Sequence, residues 1–311
     1  GFLTKIKLLL TIRISHIKIF QNHQYINFDM KILVTGASGQ LGQEFKNNVS
    51  NSDHEFYFTS ENELDITNKK RILDYVIIHK IELIINCAAY TNVNDAETNK
   101  RKAIRVNSDA VRNLVEVCEE KKIKMVHFSS DYVYNSENLN PINEDSNINP
   151  INYYGISKRE GEKIIEKSSS DSIIIRISWL YSIYGNNFVK TMIKKGENED
   201  KVYVINDQYG CPTYSKDLVN CTFNIIASNK FQKHKIYNFS NEGFTNWYEF
   251  AKKIFELKKI NCDVIAVDSN SFKTAATRPK FSVTDKSRIK DIFNVTIRSW
   301  DKALEEFIIN Y

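Results

Sequence analysis

Only 10 glycines occur in 311 residues, about half the usual share, yet Gly36, Gly39 and Gly42 fall close together. They follow Lys31-Ile32-Leu33-Val34-Thr35, an apolar run of strand length, and lead into a stretch that reads as a helix over 40–49. A strand that turns tightly into a helix needs residues without a β-carbon if its backbone is to approach another group closely. The first turn of that helix carries N–H groups with no intrahelical partner, together with the positive end of the helix dipole. Both favour a phosphate. GxxGxxG alone is weak, but its place between the first strand and the first helix is what a pyrophosphate-binding turn requires. The pattern predicts a phosphate cradle at Gly36, Gly39, Gln40, Leu41 and Gly42. A glycine-rich helix entry without a ligand is the competing reading.

Beyond this turn, short β-branched or aromatic runs alternate with amphipathic stretches. Strands are predicted over 31–35, 55–59, 83–86, 124–129 and 172–177, and helices over 40–49, 68–79, 100–120 and 153–167. Continuous apolar strands alternating with helices predict an α/β fold, a Rossmann-type doubly wound parallel sheet covered on both faces. After residue 178 strands become fewer. This suggests a mainly dinucleotide-binding part over 30–178 and a smaller C-terminal α/β portion over 179–311 that binds substrate, with some strand exchange between them. Residues 1–29 read differently, with Lys5, Lys7, Arg13 and Lys18 against Asp29. A new pattern opens at Met30, so the first 29 residues are expected to be an appendage outside the fold, a targeting peptide being the alternative.

The remaining composition excludes more than it reveals. A net charge of +5 is mild for a nucleic-acid binder, and no run approaches the roughly 18 apolar residues of a membrane span. The five cysteines are scattered without a CxxC pair, and no histidine has metal-ligand spacing to them. Reduced thiols in a cytoplasmic protein that engages neither nucleic acid nor membrane are expected.

Chemistry concentrates at the predicted strand ends. Tyr154 and Lys158 lie four apart on a predicted helix and project from one face. An ammonium near a phenol stabilises the phenolate, which suits the pair to proton transfer at a carbonyl or alcohol oxygen. Ser130 and Asp131 stand at the end of the fourth strand, where ligands bind in open parallel sheets. The Ser130 hydroxyl would donate to the same oxygen, although both residues also suit a simple cap. Ala88, Ala89 and Tyr90 end the third strand, where small residues leave room for a cofactor, and Cys87 beside them reads as a buried spacer. Asp65 and Ile66 are placed beside the adenine, with a helix N-cap the alternative for Asp65. Near the second strand's end, Ser60 is neutral and Glu61 would accept a ribose hydroxyl, so preference between NADH and NADPH stays open.

With these residues in this order, the chain resembles the extended short-chain dehydrogenase/reductases, and within them the dTDP-4-dehydrorhamnose reductase group. Five stretches carry the closer match: 87–93, 176–181, 185–192, 207–213 and 278–282. The resemblance implies reduction of the C4 keto group of a dTDP-linked 4-dehydro-6-deoxyhexose to dTDP-L-rhamnose by NADPH or NADH. It implies that Tyr154 supplies the proton, Lys158 holds the ribose and tunes Tyr154, and Ser130 polarises the carbonyl. Asp131, Tyr132, Val93 and Trp179 would face the sugar, with a plain core role the alternative for Trp179. The group also implies a monomer or homodimer, and Glu44 matches a position that holds magnesium in some members.

Three departures stand out: Ser130 where the group usually has Thr, Asn94 for a usual Asp, and Ser182 for a usual Gly. Two other functions share the turn and the Tyr/Lys pair. One is a nucleotide-sugar epimerase or dehydratase, but a dehydratase would need a second acid where Tyr132 follows Asp131. The other is a non-catalytic protein resembling a methionine adenosyltransferase regulatory subunit, against which the intact hydroxyl, Tyr and Lys set argues.

Overall fold

The structure, a computed structural model, describes residues 30–135, 139–231 and 235–311. The expected appendage at 1–29 lies outside the described residues.

Six strands form one sheet: β1 (Lys31–Thr35), β2 (Glu55–Thr59), β3 (Leu83–Asn86), β4 (Lys124–Ser130), β5 (Ser172–Ile177) and β6 (Lys235–Phe239). Their order is β6-β5-β4-β3-β1-β2, with every neighbouring pair parallel. The strand alternation decides which helices cover which face. Ile32, Val34, Ile85, Val126 and Ile173 point to one side, where they meet Leu41 and Phe45 of α1 (Gln40–Asn48). Leu33, Ile84, Met125 and Ile174 point to the other, against α2 (Lys69–His79), α3 (Ala110–Lys121) and α4 (Tyr153–Lys167). Both faces are therefore buried, which fits the apolar runs Ile32–Val34, Leu83–Ile85 and Ile173–Ile175 at the strand centres. The expected doubly wound sheet is the one observed.

One predicted helix is not continuous. The stretch expected over 100–120 divides into a short helix, Lys100–Ile104, a π-helical turn, Arg105–Asp109, and α3. The cause is tertiary. The Asn107 amide is bound at both ends, to the Tyr90 backbone and to Ser157 Oγ of α4. The backbone carbonyl of Asn107 lies so near Gly161 of α4 that a β-carbon there would collide with it. An extra residue in the turn accommodates that approach.

The later chain builds a second core from α5 (Phe188–Gly196), α7 (Trp247–Lys258) and α8 (Trp300–Asn310). It also includes a two-stranded parallel sheet pairing Lys201–Ile205 with Asp263–Val267. Yet α6 (Ser215–Ser228) packs into the first core, and β6 adds to β5 in the main sheet. Among the described residues no helix is long and apolar enough to cross a membrane.

Candidate active site

In a sheet of this order the crevice opens where connections leave β1 and β3 in opposite directions. The glycine turn lies there. Gly36 has φ +66°, and a β-carbon on it would stand 2.6 Å from the backbone nitrogen of Ala88. Gly42 has no room for one either, because it would strike the Gly36 carbonyl. Gly39 differs, since its β-carbon would meet only the Gly36 carbonyl, at 3.3 Å. Two glycines thus serve the chain's own packing, and the third faces open space in front of the helix.

That space is a groove of about 270 Å³ lined by Gly36, Gly39, Asp65, Ile66, Ala88 and Tyr90, with Ala89 also on its wall. Leu41 is buried in the core and Gln40 reaches back to the Leu180 carbonyl at 3.4 Å. Neither side chain lines the groove. Asp65 lines it while accepting from Thr67 N (2.9 Å) and Thr67 Oγ1 (2.8 Å), whereas the cap of α2 is Asn68. The capping alternative for Asp65 thus gives way to a local turn. Burial holds the Cys87 thiol well above its ordinary pKa, in keeping with a spacer.

The proton-transfer group is assembled by α4. Asn152 caps this helix, accepting from Gly155 N at 2.8 Å and donating to the Thr277 carbonyl at 2.9 Å. Lys158 is 2% exposed and donates to the Phe128 carbonyl at 2.7 Å. Burial pushes its pKa down to about 8, while Glu162 opposes the fall. Burial also drives Tyr154 up to about 12, with the nearby Ser130 hydroxyl pulling the other way. The depression of Tyr154 expected from Lys158 is thus not present here. A phenol held protonated is set to give a proton rather than to take one.

Ser130 ends β4. Its Oγ accepts from Tyr132 N and donates to Asp131 Oδ1, each at 3.1 Å, so it caps the next turn and also faces Tyr154. Asp131 is 2% exposed, and burial raises its carboxyl to about 7 against the opposing hydroxyls of Ser282, Ser130 and Ser178. The ring of Tyr132 stands edge-on to that of Tyr154, centroids 5.8 Å apart.

Beside this group lies a cavity of about 1050 Å³. Its wall combines Phe188 and Trp247 with Lys273, Arg278 and Lys280, and it includes no acidic residue. Trp179 has φ +45°, costly for a large side chain, and stacks on Trp247 at 3.4 Å between centroids. It is half-buried against the second core, so packing accounts for one of its faces. Val93 opens the helix Val93–Thr98. The next residue, Asn94, accepts from Arg278 Nη2 at 3.2 Å, binding the segment after β3 to the cavity rim. Arg278, Trp247 and Asn107 were not singled out from sequence. The cations at 273, 278 and 280, two of them within the matching stretch 278–282, are the sequence signal for this wall.

The magnesium suggestion is not supported. Glu44 is buried, with Oε2 accepting from Ser182 Oγ (2.8 Å) and Ser215 Oγ (2.6 Å), and Oε1 from Asn48 (3.0 Å). Its carboxylate ties α1 to the later chain and faces no solvent. Among the described residues no group of three acidic, His or Cys side chains is placed to hold a metal.

The doubly wound sheet, its glycine crevice and a Tyr/Lys helix beside β4 are the architecture of the short-chain dehydrogenase/reductase class. More narrowly, the chain belongs to the family described as RmlD substrate binding domain, which matches residues 30–311. It is 37% identical over 285 residues to the dTDP-4-dehydrorhamnose reductase of Aggregatibacter actinomycetemcomitans, covering 88% of this chain and 97% of that protein. It is 33% identical over 280 residues to the spore coat polysaccharide biosynthesis protein SpsK of Bacillus subtilis, covering 89% and 96%. The crystal structure of dTDP-4-dehydrorhamnose reductase from Bacillus anthracis in complex with NADP superposes with a TM-score of 0.87 at 35% identity, covering 91% of this chain and all of that one.

Proposed function

We propose that this protein reduces the C4 keto group of dTDP-4-dehydro-6-deoxy-L-mannose, giving dTDP-L-rhamnose at the expense of NAD(P)H. One observation carries the reading: α4 joins two different walls. Through Asn107 it is tied to Tyr90 on the glycine groove, and through Asn152 to Thr277 on the aromatic and cationic cavity. Tyr154 stands between them. The groove suits a dinucleotide because Gly39 leaves open space before a helix N-terminus. The cavity suits a nucleoside diphosphate, with rings for the base and Lys273, Arg278 and Lys280 for the phosphates.

When bound, the nicotinamide cofactor supplies hydride. The chain's own residues do the rest. Ser130 turns its hydroxyl proton from Asp131 to the keto oxygen, and Tyr154, protonated across the neutral range, delivers its proton to that oxygen. Lys158 holds the ribose and, being cationic, stabilises the tyrosinate left behind. Asp131, Tyr132, Val93 and Trp179 bound the sugar. On this reading residues 30–178 chiefly serve the cofactor and 179–311 the sugar nucleotide. The test is oxidation of NADPH and of NADH by the purified protein with dTDP-4-keto-L-rhamnose, the product being identified by NMR. Absence of turnover with both cofactors would overturn the proposal and favour a binding role.

A further inference from the structure

The helix that carries Tyr154 and Lys158 also carries Glu162, one turn beyond Lys158 and fully buried. Opposite charges at i and i+4 of a helix normally pair. Here they do not. Both Glu162 oxygens are taken by Arg176 of β5, Nε to Oε1 at 2.8 Å and Nη2 to Oε2 at 2.7 Å. Arg159, one turn back on the other side, adds a contact to Oε2 at 3.0 Å. Arg176 is itself fixed, since Nη1 donates to the Tyr134 hydroxyl at 2.6 Å, and that hydroxyl donates to Asn238 of β6 at 3.0 Å. The Lys158 ammonium is left with the neutral carbonyl of Phe128.

We propose that Glu162 and Arg176 act as a positioning pair for Lys158: the guanidinium occupies the carboxylate, so that the ammonium turns to the crevice instead of back along its helix, while the carboxylate keeps it charged. The inference rests on the crevice being an NAD(P)H site, and not on which sugar is reduced. A buried cation is expensive without a nearby anion. Glu162 is the one acid acting on Lys158, and it opposes the burial that drives this lysine toward neutrality. The other groups facing Lys158 offer no charge. His127 of β4 is held neutral by burial, with Lys158 adding to the effect, and Asn107 from the π-turn is an amide. Asp131, from the turn after β4, bears on Tyr154. Around Glu162 stand Arg176, Arg159 and the Ser129 hydroxyl. Although burial alone would raise it, the Arg176 hydrogen bonds hold Glu162 below the usual carboxylate range. It is therefore an anion throughout the neutral range.

The experiment is NADH binding, read by nicotinamide fluorescence, from about pH 6 to about pH 10. Wild-type affinity should fall as pH rises through about 8, where Lys158 loses its proton. In Glu162→Gln the same fall should come roughly one pH unit lower. Glu166→Gln, which loses only a contact to Arg159, should keep the wild-type curve. Arg176→Gln should weaken binding roughly tenfold below about pH 8, the loss of one charged hydrogen bond to the ribose. The double variant Glu162→Gln/Arg176→Gln removes both members of the pair together, so that neither is left buried without the other and Lys158 keeps only the Phe128 carbonyl. It should recover wild-type affinity at low pH with the fall still displaced downward. If a single variant fails to fold, the double variant decides. An unmoved fall in Glu162→Gln or in the double variant overturns the proposal alone. Failure of the wild type to bind NADH or NADPH at any pH overturns the crevice reading and this proposal with it.

Discussion

Gly155 sits against the carbonyl of Tyr132 with no room for a side chain: a β-carbon there would overlap that oxygen. The neighbouring residue is Tyr154, so this contact sets the distance between the proton donor and the turn that follows Ser130. Gly155→Ala should push α4 outward at a cost of about 1–3 kcal/mol in stability. Turnover should fall by roughly tenfold or more through misplacement of the phenol, with NADH affinity less affected. Steady-state kinetics and a binding titration on the same sample check this, and an unchanged kcat would separate the contact from catalysis.

The three clustered glycines should behave differently. Gly39→Val should leave the melting temperature near that of the wild type but abolish dinucleotide binding, because its side chain enters open groove. Gly42→Val should lower the melting temperature itself, since it meets the Gly36 backbone. Thermal melts and calorimetry distinguish the two, and tight cofactor binding by Gly39→Val would displace the pyrophosphate from this turn.

Tyr154→Phe keeps the ring and removes the transferable proton, so turnover should drop by about 10²–10⁴ with little change in cofactor affinity. Lys158→Met should damage both. Tyr153→Phe provides the control, because that ring lies under Lys100, 5.1 Å from its ammonium, on another side of the helix. Equal rates for Tyr154→Phe and the wild type would exclude the phenol as the acid.

Asp131 links stability to pH. Burial lifts its folded-state value to about 7 from the ordinary carboxyl value of 3.8. A carboxyl shifted upward contributes stability while neutral in the fold and loses it as pH rises through the folded value. Asp131→Asn cannot ionise, so its melting temperature should gain on that of the wild type between about pH 4 and about pH 7 and level off above. A constant difference across this range would show that the carboxyl does not titrate there.

Local order made much of this legible. β1, the glycine turn and α1 follow one another in sequence, and the i,i+4 relation of Tyr154 and Lys158 needs only a helix. Partners distant in sequence were not visible. Glu44 reads as a magnesium position until Ser182 and Ser215 close on it, and the π-turn at Asn107 exists because Tyr90 and Ser157 bind that side chain. The proton affinity of Tyr154 has a similar cause. A bare Tyr/Lys spacing implies a lowered value, whereas burial of the whole group sets the opposite direction.

The place of β6 bears on how the molecule is made. Ribosomes release β1 to β5 first, and at that stage β5 is an unprotected sheet edge with Ile173, Ile174 and Ile175 apolar on both faces. Such an edge invites pairing with another chain. It is covered only when 235–239 emerges, some sixty residues after β5. A fragment cut near residue 178 would keep the whole glycine turn yet end on that bare edge. It would be expected to aggregate rather than persist as a free cofactor-binding unit.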